Sequence, residues 1–434
     1  EMKIYVYTLG CPKNEADMEV FKALAVRKGH TVVESMNTGD RDTLVVVDTC
    51  GFIEDAKVES IETILAFSQK HRVIAVGCLV QRYFQELRKE LPELEGLIGV
   101  VSPQTLLDLL EKGERFYLPK TPETIYESCE RMASPHPFAY VKISDGCDRS
   151  CSFCAIPSFK GKHRSRPMEV IRREVEKLLS AGVKEIILVA QDTTAYGTDL
   201  YGKQTLPDLL SMLEKIPGRF WIRVMYLHPD HVNDAIIDTI ANGEKTVPYF
   251  DIPVQHGSDR ILKLMGRMKS RSELLELFQR IRKANSNAVL RSTILVGHPG
   301  ESERDFEELK EFLHLTCFDR LGAFAYSDEE GTLAYAMDHK VDKETIQRRL
   351  NEIMELQAEI AFEKSAKLVG KNFTVLLEEE RDHYFVARSY MDAPEVDTEV
   401  LVRVNGSTRK LRPGDFYEVK IVESTGYDLE AIPL

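Results

Sequence analysis

The residues of this chain best suited to chemistry are three thiols in one short run, Cys147-Asp148-Arg149-Ser150-Cys151-Ser152-Phe153-Cys154. A C-x3-C-x2-C loop can turn three sulfurs toward one centre, and thiolates are the ligands that soft metals and iron–sulfur clusters select. A cubane held by three cysteines keeps one iron without a protein ligand, an open position for a substrate or cofactor. Structural zinc instead closes a tetrahedron with four ligands. No fourth Cys or His stands at a zinc-finger spacing, although His136 and His163 are near enough in sequence to keep zinc as the alternative.

Three more thiols depend on the elements that carry them. Apolar strands at 3 to 9, 43 to 48 and 73 to 76 alternate with helical patterns at 15 to 28, 54 to 70 and 81 to 90, which predicts a parallel sheet covered on both faces. Ligands of such sheets bind outside the carboxyl ends of the strands. Cys11, Cys50 and Cys78 each follow a strand there, so the pattern predicts a second cluster. Idle buried thiols are the other reading.

Pro119, Pro122, Pro135 and Pro137 mark a linker over 119–137, with Cys129 not a ligand. Strands then fall at 139 to 143, 184 to 190, 219 to 225, 249 to 254, 289 to 296 and 320 to 325. Six strand–helix units predict a partial barrel, because a complete eightfold barrel takes about 250 residues. Its strand ends carry Gln191, Asp192, Gln255, His256 and Gly297-His298-Pro299-Gly300-Glu301; the two histidines read as structural. The basic run Lys160 to Arg166 is either a solvated face or a source of forks, Arg164 or Arg166, for a carboxylate on cofactor or substrate.

A long helix over 342 to 369 precedes five short strands at 373 to 377, 384 to 388, 399 to 404, 416 to 422 and 428 to 431. With turns at Asn405-Gly406 and Pro413-Gly414, these predict a small antiparallel barrel with a binding role. From residue 371 onward 8 Lys or Arg face 13 Asp or Glu, so its carboxylates, crowded at Glu378 to Asp382 and Asp392 to Glu399, are expected to attract a basic protein rather than tRNA. The domains are therefore 1–118, a linker 119–137, 138–369 and 370–434.

The formal net charge of −13 argues against a general nucleic-acid binder. Eight cysteines in 434 residues are too sparse for a disulfide framework, which points to a reducing cytoplasm. No stretch approaches a membrane span or a signal peptide, and Glu1 ahead of Met2 reads as an expression remnant.

The octapeptide ending in Phe153-Cys154 resembles the signature of the radical S-adenosylmethionine superfamily. End to end, the chain resembles the methylthiotransferases, through Gly10-Cys11-Pro12-Lys13-Asn14, Asp48-Thr49-Cys50-Gly51-Phe52, Val76-Gly77-Cys78 and Leu295-Val296-Gly297-His298-Pro299-Gly300-Glu301. The resemblance implies an N-terminal methylthiotransferase domain, a radical domain and a TRAM barrel. It also implies two [4Fe-4S] clusters, at Cys11, Cys50, Cys78 and at Cys147, Cys151, Cys154. S-adenosylmethionine would lie near Phe153, Gln191, Asp192, Gln255, Gly297 and Glu301. His298 departs from the pattern, where relatives often carry an aromatic residue. Cys154 to Gly161, Gln191 to Gly197 and Tyr326 to Thr332 are more similar to the branch that modifies an aspartate of a small-subunit ribosomal protein than to the branch acting on tRNA adenosine. One S-adenosylmethionine would then methylate sulfur at the N-terminal cluster. A second would give the radical that takes hydrogen from the aspartate β-carbon, which accepts the methylthio group. A flavodoxin-like or ferredoxin-like electron donor and a sulfur donor are implied partners, without identity. A non-catalytic iron–sulfur or zinc protein that binds the ribosome is the competing class.

Overall fold

The computed structural model describes residues 1–36, 40–132, 134–404 and 411–434. The first domain is a six-stranded sheet: β1 (Lys3–Thr8), β2 (Thr31–Val33), β3 (Leu44–Thr49), β4 (Arg72–Gly77), β5 (Gly96–Ile98) and β6 (Phe116–Tyr117). The spatial order is β2-β1-β3-β4-β5-β6, parallel throughout. Four helices cover it: α1 (Pro12–Arg27), α2 (Glu54–Ser68), α3 (Cys78–Glu90) and α4 (Pro103–Lys112). Buried Leu44, Val46, Ile74 and Val76 pack against α1 and α4, whereas Val45, Val47, Val73 and Ala75 point to the opposite core, as runs of apolar residues buried on both faces require. The order reverses between β1 and β3, which opens a crevice at the carboxyl ends of those two strands.

Residues 118–137 contain no helix or strand among those described, yet they are not a free linker. Tyr126 is buried between Lys142 and Arg166, with Nζ and Cζ 4.9 and 4.8 Å from its ring centre, and its hydroxyl donates to Asp17 at 2.7 Å. Arg131 pairs with Glu19 of α1 and, at 2.7 Å, with Glu174. The segment is a strap buried between two domains. Cys129 inside it donates to the carbonyls of Glu127 and Val170.

The central domain holds β7 (Phe138–Lys142), a clamp of β8 (Ser144–Asp145) with β9 (Arg164–Ser165), β10 (Glu185–Val189), β11 (Trp221–Val224), β12 (Tyr249–Asp251), β13 (Val289–Val296) and β14 (Arg320–Ala325). Two parallel three-stranded sheets, β7-β10-β11 and β12-β13-β14, meet through a parallel bridge between Ile222 and Thr246, giving the open six-stranded barrel expected. The helices α5 (Ile156–Lys160), α6 (Met168–Ser180), α7 (Thr198–Tyr201), α8 (Leu206–Glu214), α9 (Asp234–Asn242), α10 (Asp259–Leu264), α11 (Arg271–Ala284) and α12 (Glu303–Thr316) follow in turn. Helix α13 (Lys343–Ala366) runs along β14 and reaches the last domain, where Ser365 meets Ser424 at 2.9 Å.

That domain is a closed barrel of β15 (Asn372–Arg381), β16 (Tyr384–Arg388), β17 (Val400–Arg403), β18 (Phe416–Ser424) and β19 (Leu429–Pro433). One seam, β17 to β19, is parallel; the other four are antiparallel. The expected turn at Asn405-Gly406 lies outside the described residues. Between β16 and β17 the segment 389–397 enters the central barrel, where Ala393 joins Phe138, Tyr140, Val189 and Tyr249 in one apolar cluster.

The expectation that the crowded carboxylates of this domain await a partner is therefore corrected in part. Asp392 pairs with Arg320 at 2.6 Å, Asp397 with Arg291 at 3.3 Å, and Glu378 with Arg388 at 2.5 Å. The first two pairs hold the last domain to the central one, while the third lies within the barrel and steadies Arg388, which itself reaches Glu185 of β10.

Candidate active site

Both groups of cysteines line one cavity of about 540 Å³ at the junction of the first two domains. The N-terminal group is assembled by topology. Cys11 caps α1 after β1, Cys50 follows β3, and Cys78 opens α3 after β4. Asn14 donates from Nδ2 to the carbonyls of Leu9 and Thr49, tying the first two loops together. The Thr49 hydroxyl donates to the Val76 carbonyl at 2.7 Å and accepts from the Leu79 N–H, which ties in the third. Gly10 and Gly77 precede two of the cysteines with φ of 92° and 94°, and a Cβ on Gly77 would stand 2.6 Å from Asp48 Oδ1. The positive ends of α1 and α3 thus point at the sulfurs, which favours anionic ligands.

The second group is local. The β8–β9 clamp holds the ends of its loop, Cys147 N–H donates to the Gly161 carbonyl at 3.1 Å, and Gly146 (φ 78°) leaves no room for a Cβ beside Lys162. On the outer side Ser152 N–H reaches the Met265 carbonyl, and its hydroxyl meets His298 Nε2 at 2.9 Å. Burial pushes the Cys50 and Cys147 thiols up to about 11 and Cys154 to about 12, and raises Cys78 as well. Such thiols are poor nucleophiles by themselves, but coordination to a metal deprotonates them. The donor set of three sulfurs at each end, in a largely apolar chamber, fits iron–sulfur ligation.

Among the described residues no three His, Cys, Asp or Glu side chains stand close enough to hold a single metal ion. The two histidines that kept zinc open are engaged elsewhere: His136 stacks on Phe138 and His163 meets Ser165 at 3.0 Å. A four-iron cube is wider than one ion and needs its ligands farther apart.

Of the residues expected at the cofactor, Phe153, Gln191, Asp192 and Gln255 line the cavity. Asp192 accepts from Arg149 Nε at 2.9 Å, and Gln191 donates to Asp145 at 2.6 Å while its Oε1 is buried without a partner. Gly297 and Glu301 do not line it. Glu301 binds His256 at 2.8 Å and Arg349 at 2.8 Å, and Gly297 lies against Ile346 of α13, so both fasten that helix. Arg166 is likewise unavailable as a fork: fully buried, it pairs with Glu174 at 2.6 Å and donates to the Lys142 carbonyl at 2.8 Å. Arg164 is exposed and lies outside the cavity lining.

Sequence reasoning missed Lys13, Arg149, Lys160, Tyr226, His228 and Arg267, all cavity-lining. Burial alone would raise the Asp145 carboxyl, but Lys160, Lys142 and Lys13 around it hold it well below the usual range. Tyr226 and Gln255, at the ends of β11 and β12, adopt left-handed φ of 59° and 71°, a strain that functional sites tolerate. Burial, with Arg267 and Arg149 nearby, drives His228 down to about 2, so it is neutral.

Comparison with known proteins agrees with this architecture. The family models for the Radical SAM superfamily, the TRAM domain and Uncharacterized protein family UPF0004 match residues 141–313, 369–433 and 3–99. In fold, the chain is similar to the radical S-adenosylmethionine methyltransferase TsrM from Kitasatospora setae, solved with cobalamin and a [4Fe-4S] cluster bound (TM-score 0.56, 12% identity, 75% of each chain). Fold and site thus define an enzyme of the radical S-adenosylmethionine superfamily, whose members imply a [4Fe-4S] cluster and S-adenosylmethionine. More narrowly, the chain belongs to the family of ribosomal protein uS12 methylthiotransferases. It is 51% identical to the "Ribosomal protein uS12 methylthiotransferase RimO" of Thermotoga maritima, over 99% of both chains, and 52% identical to that of Fervidobacterium nodosum, over 99% and 98%. Among the described residues, no helix is long and apolar enough to cross a membrane.

Proposed function

We propose that this enzyme places a methylthio group on the β-carbon of an aspartate in ribosomal protein uS12, with one [4Fe-4S] cluster on Cys147, Cys151 and Cys154 and a second on Cys11, Cys50 and Cys78. The observation that carries this reading is the convergence of both cysteine groups on one cavity. When bound, the groups supply what side chains cannot: a low-potential electron, a hydrogen-abstracting radical from S-adenosylmethionine, and a carrier for sulfur.

The chain's own residues orient and shield. The free Oε1 of Gln191 offers an acceptor to an ammonium group, and Arg149, anchored by Asp192, offers charge to a carboxylate. Phe153 and Gln255 add cofactor contacts from the cavity wall. Phe52, Ile156, Phe159 and Pro253 make much of that wall apolar, which excludes water from reactive carbon.

The test is anaerobic incubation of reconstituted enzyme with S-adenosylmethionine, reductant, sulfide, uS12 and tRNA, followed by mass analysis of both. A methylthio group replacing hydrogen on one uS12 aspartate is the expected product. Modified adenosine with untouched uS12 would overturn the proposal.

A further inference from the structure

Four cations line the cavity: Lys13, Arg149, Lys160 and Arg267. Three make direct hydrogen bonds to protein acceptors, although the Nε of Arg267 is buried without a partner. Arg149 donates to Asp192 at 2.9 Å, Lys160 to Asp145 at 3.2 Å and Arg267 to the Pro253 carbonyl at 3.1 Å. Lys13 has no such direct partner: it is only 7% exposed, and among the described residues its ammonium makes no hydrogen bond or ion pair, although the Asp145 carboxylate and Cys11 lie near enough to favour its charge. It lies over the Tyr226 ring, 4.8 Å from the centroid.

Tyr226 is held there deliberately. Its left-handed backbone is fixed on both sides, the N–H donating to Asp251 at 2.9 Å and the carbonyl accepting from Thr193 N–H at 3.0 Å and from the Thr193 hydroxyl at 3.1 Å. Its hydroxyl makes no hydrogen bond among the described residues. Neither group is sealed behind protein atoms, so both are donors that a bound group can reach from the cavity. Two such donors side by side suit an anion with room for a second hydrogen bond, which describes a carboxylate.

We infer that Lys13 and Tyr226 form the seat for the acceptor's carboxylate, gripping the acidic side chain between the two cysteine groups. The inference rests on the acceptor being an aspartate. It also gives specificity a physical basis: asparagine has nearly the same shape, but its amide leaves the ammonium unmatched, and unpaired buried groups are what reject near-isosteres. S-adenosylmethionine is the weaker occupant, because Arg149 and Arg267 already stand on the radical domain beside its loop, whereas Lys13 belongs to the N-terminal domain.

The experiment measures anaerobic binding of uS12, natural and with its modified aspartate replaced by asparagine, to the reconstituted full-length enzyme. The wild type is expected to prefer the natural protein about tenfold to a hundredfold, the range of one charge-assisted hydrogen bond. Lys13→Met and Lys13→Gln are expected to bind both forms about equally, Lys13→Arg to regain part of the preference, and Tyr226→Phe to lose part. Iron content and the electron paramagnetic resonance spectrum of each variant are read alongside. Full discrimination in Lys13→Met overturns the seat. So does a changed N-terminal cluster spectrum with discrimination intact, which would make Lys13 that cluster's counter-ion. Methylthiolation of natural uS12 by the wild type is scored in parallel. Its absence sinks the acceptor reading, whereas its presence without discrimination in binding sinks only the seat.

Discussion

The two cysteine groups reach the same cavity by different routes. Cys147, Cys151 and Cys154 need only one loop, clamped at its ends by β8 and β9. Cys11, Cys50 and Cys78 come together only when three parallel strands have paired and the sheet order has reversed between β1 and β3. Their electrostatics differ too. The dispersed group faces two helix N-termini, Lys13 and Lys160, while the loop is flanked by Arg149 and Arg267. The contrast shows that a local site needs a turn, whereas a dispersed one needs the whole domain to be folded before its geometry exists.

Substitution of the cysteines breaks the comparison most sharply. Replacing Cys147, Cys151 and Cys154 by Ala is expected to remove about half of roughly eight irons and all reductive cleavage of S-adenosylmethionine. Iron analysis and detection of 5'-deoxyadenosine check it. Cys11→Ala, Cys50→Ala or Cys78→Ala should instead leave that cleavage in place and abolish methylthiolation. Loss of cleavage in all three, with the fold intact, would mean the two groups are one functional unit.

Backbone substitutions come next. Gly77→Ala forces a side chain into left-handed backbone and against Asp48, and should destabilise the protein by about 1–3 kcal/mol while selectively emptying the dispersed site. Gly146→Ala should empty the loop site instead. Thermal unfolding with iron analysis separates the two.

The pH dependence of the two surroundings runs in opposite directions. Burial, reinforced by Glu395 and Glu19, raises half-buried Glu15 of α1 to about 7. Its folded value lies above its unfolded one, so its penalty is absent below about pH 4.5 and complete above about pH 7. Glu15→Gln should therefore stabilise the protein at pH 8, by about 1 kcal/mol after allowance for solvent screening, and hardly at pH 4. Asp145, depressed by its lysines, contributes stability above its ordinary value of 3.8 that is lost as pH falls through the lower folded value. Denaturant melts across pH would expose both signs. The smallest expected effect belongs to Glu379 and Glu380 of the last barrel. Changing both to Gln should slow association with basic uS12 severalfold at low salt and not at high salt. Stopped-flow mixing measures it.

Strand–helix alternation made most of the fold legible, including all six central strands, because most of each is apolar and turn residues bound it. The short strands β2, β5 and β6 carry too few residues for a pattern. The strap 118–137 reads as a linker because its prolines forbid regular structure, yet nothing local reveals that Tyr126 and Arg131 are buried by partners far along the chain. The run Lys160 to Arg166 misleads similarly: Lys160, His163 and Arg166 turn inward, and only Lys162 and Arg164 face solvent. The cysteines were legible by spacing and by strand ends. Tyr226 was not, since its role lies in backbone strain and in a lysine more than two hundred residues earlier.

The segment 389–397 has a consequence for biosynthesis. Arg291 and Arg320, inside the central barrel, find Asp397 and Asp392 only once the segment after β16 has been made, and Tyr140 and Tyr249 wait for Glu395 and Asp397. Until then Arg320 lacks its carboxylate, Arg291 has only Asp251, and the apolar cluster around Tyr249 lacks Ala393. The segment that follows β16 thus completes the interior of the domain made before it.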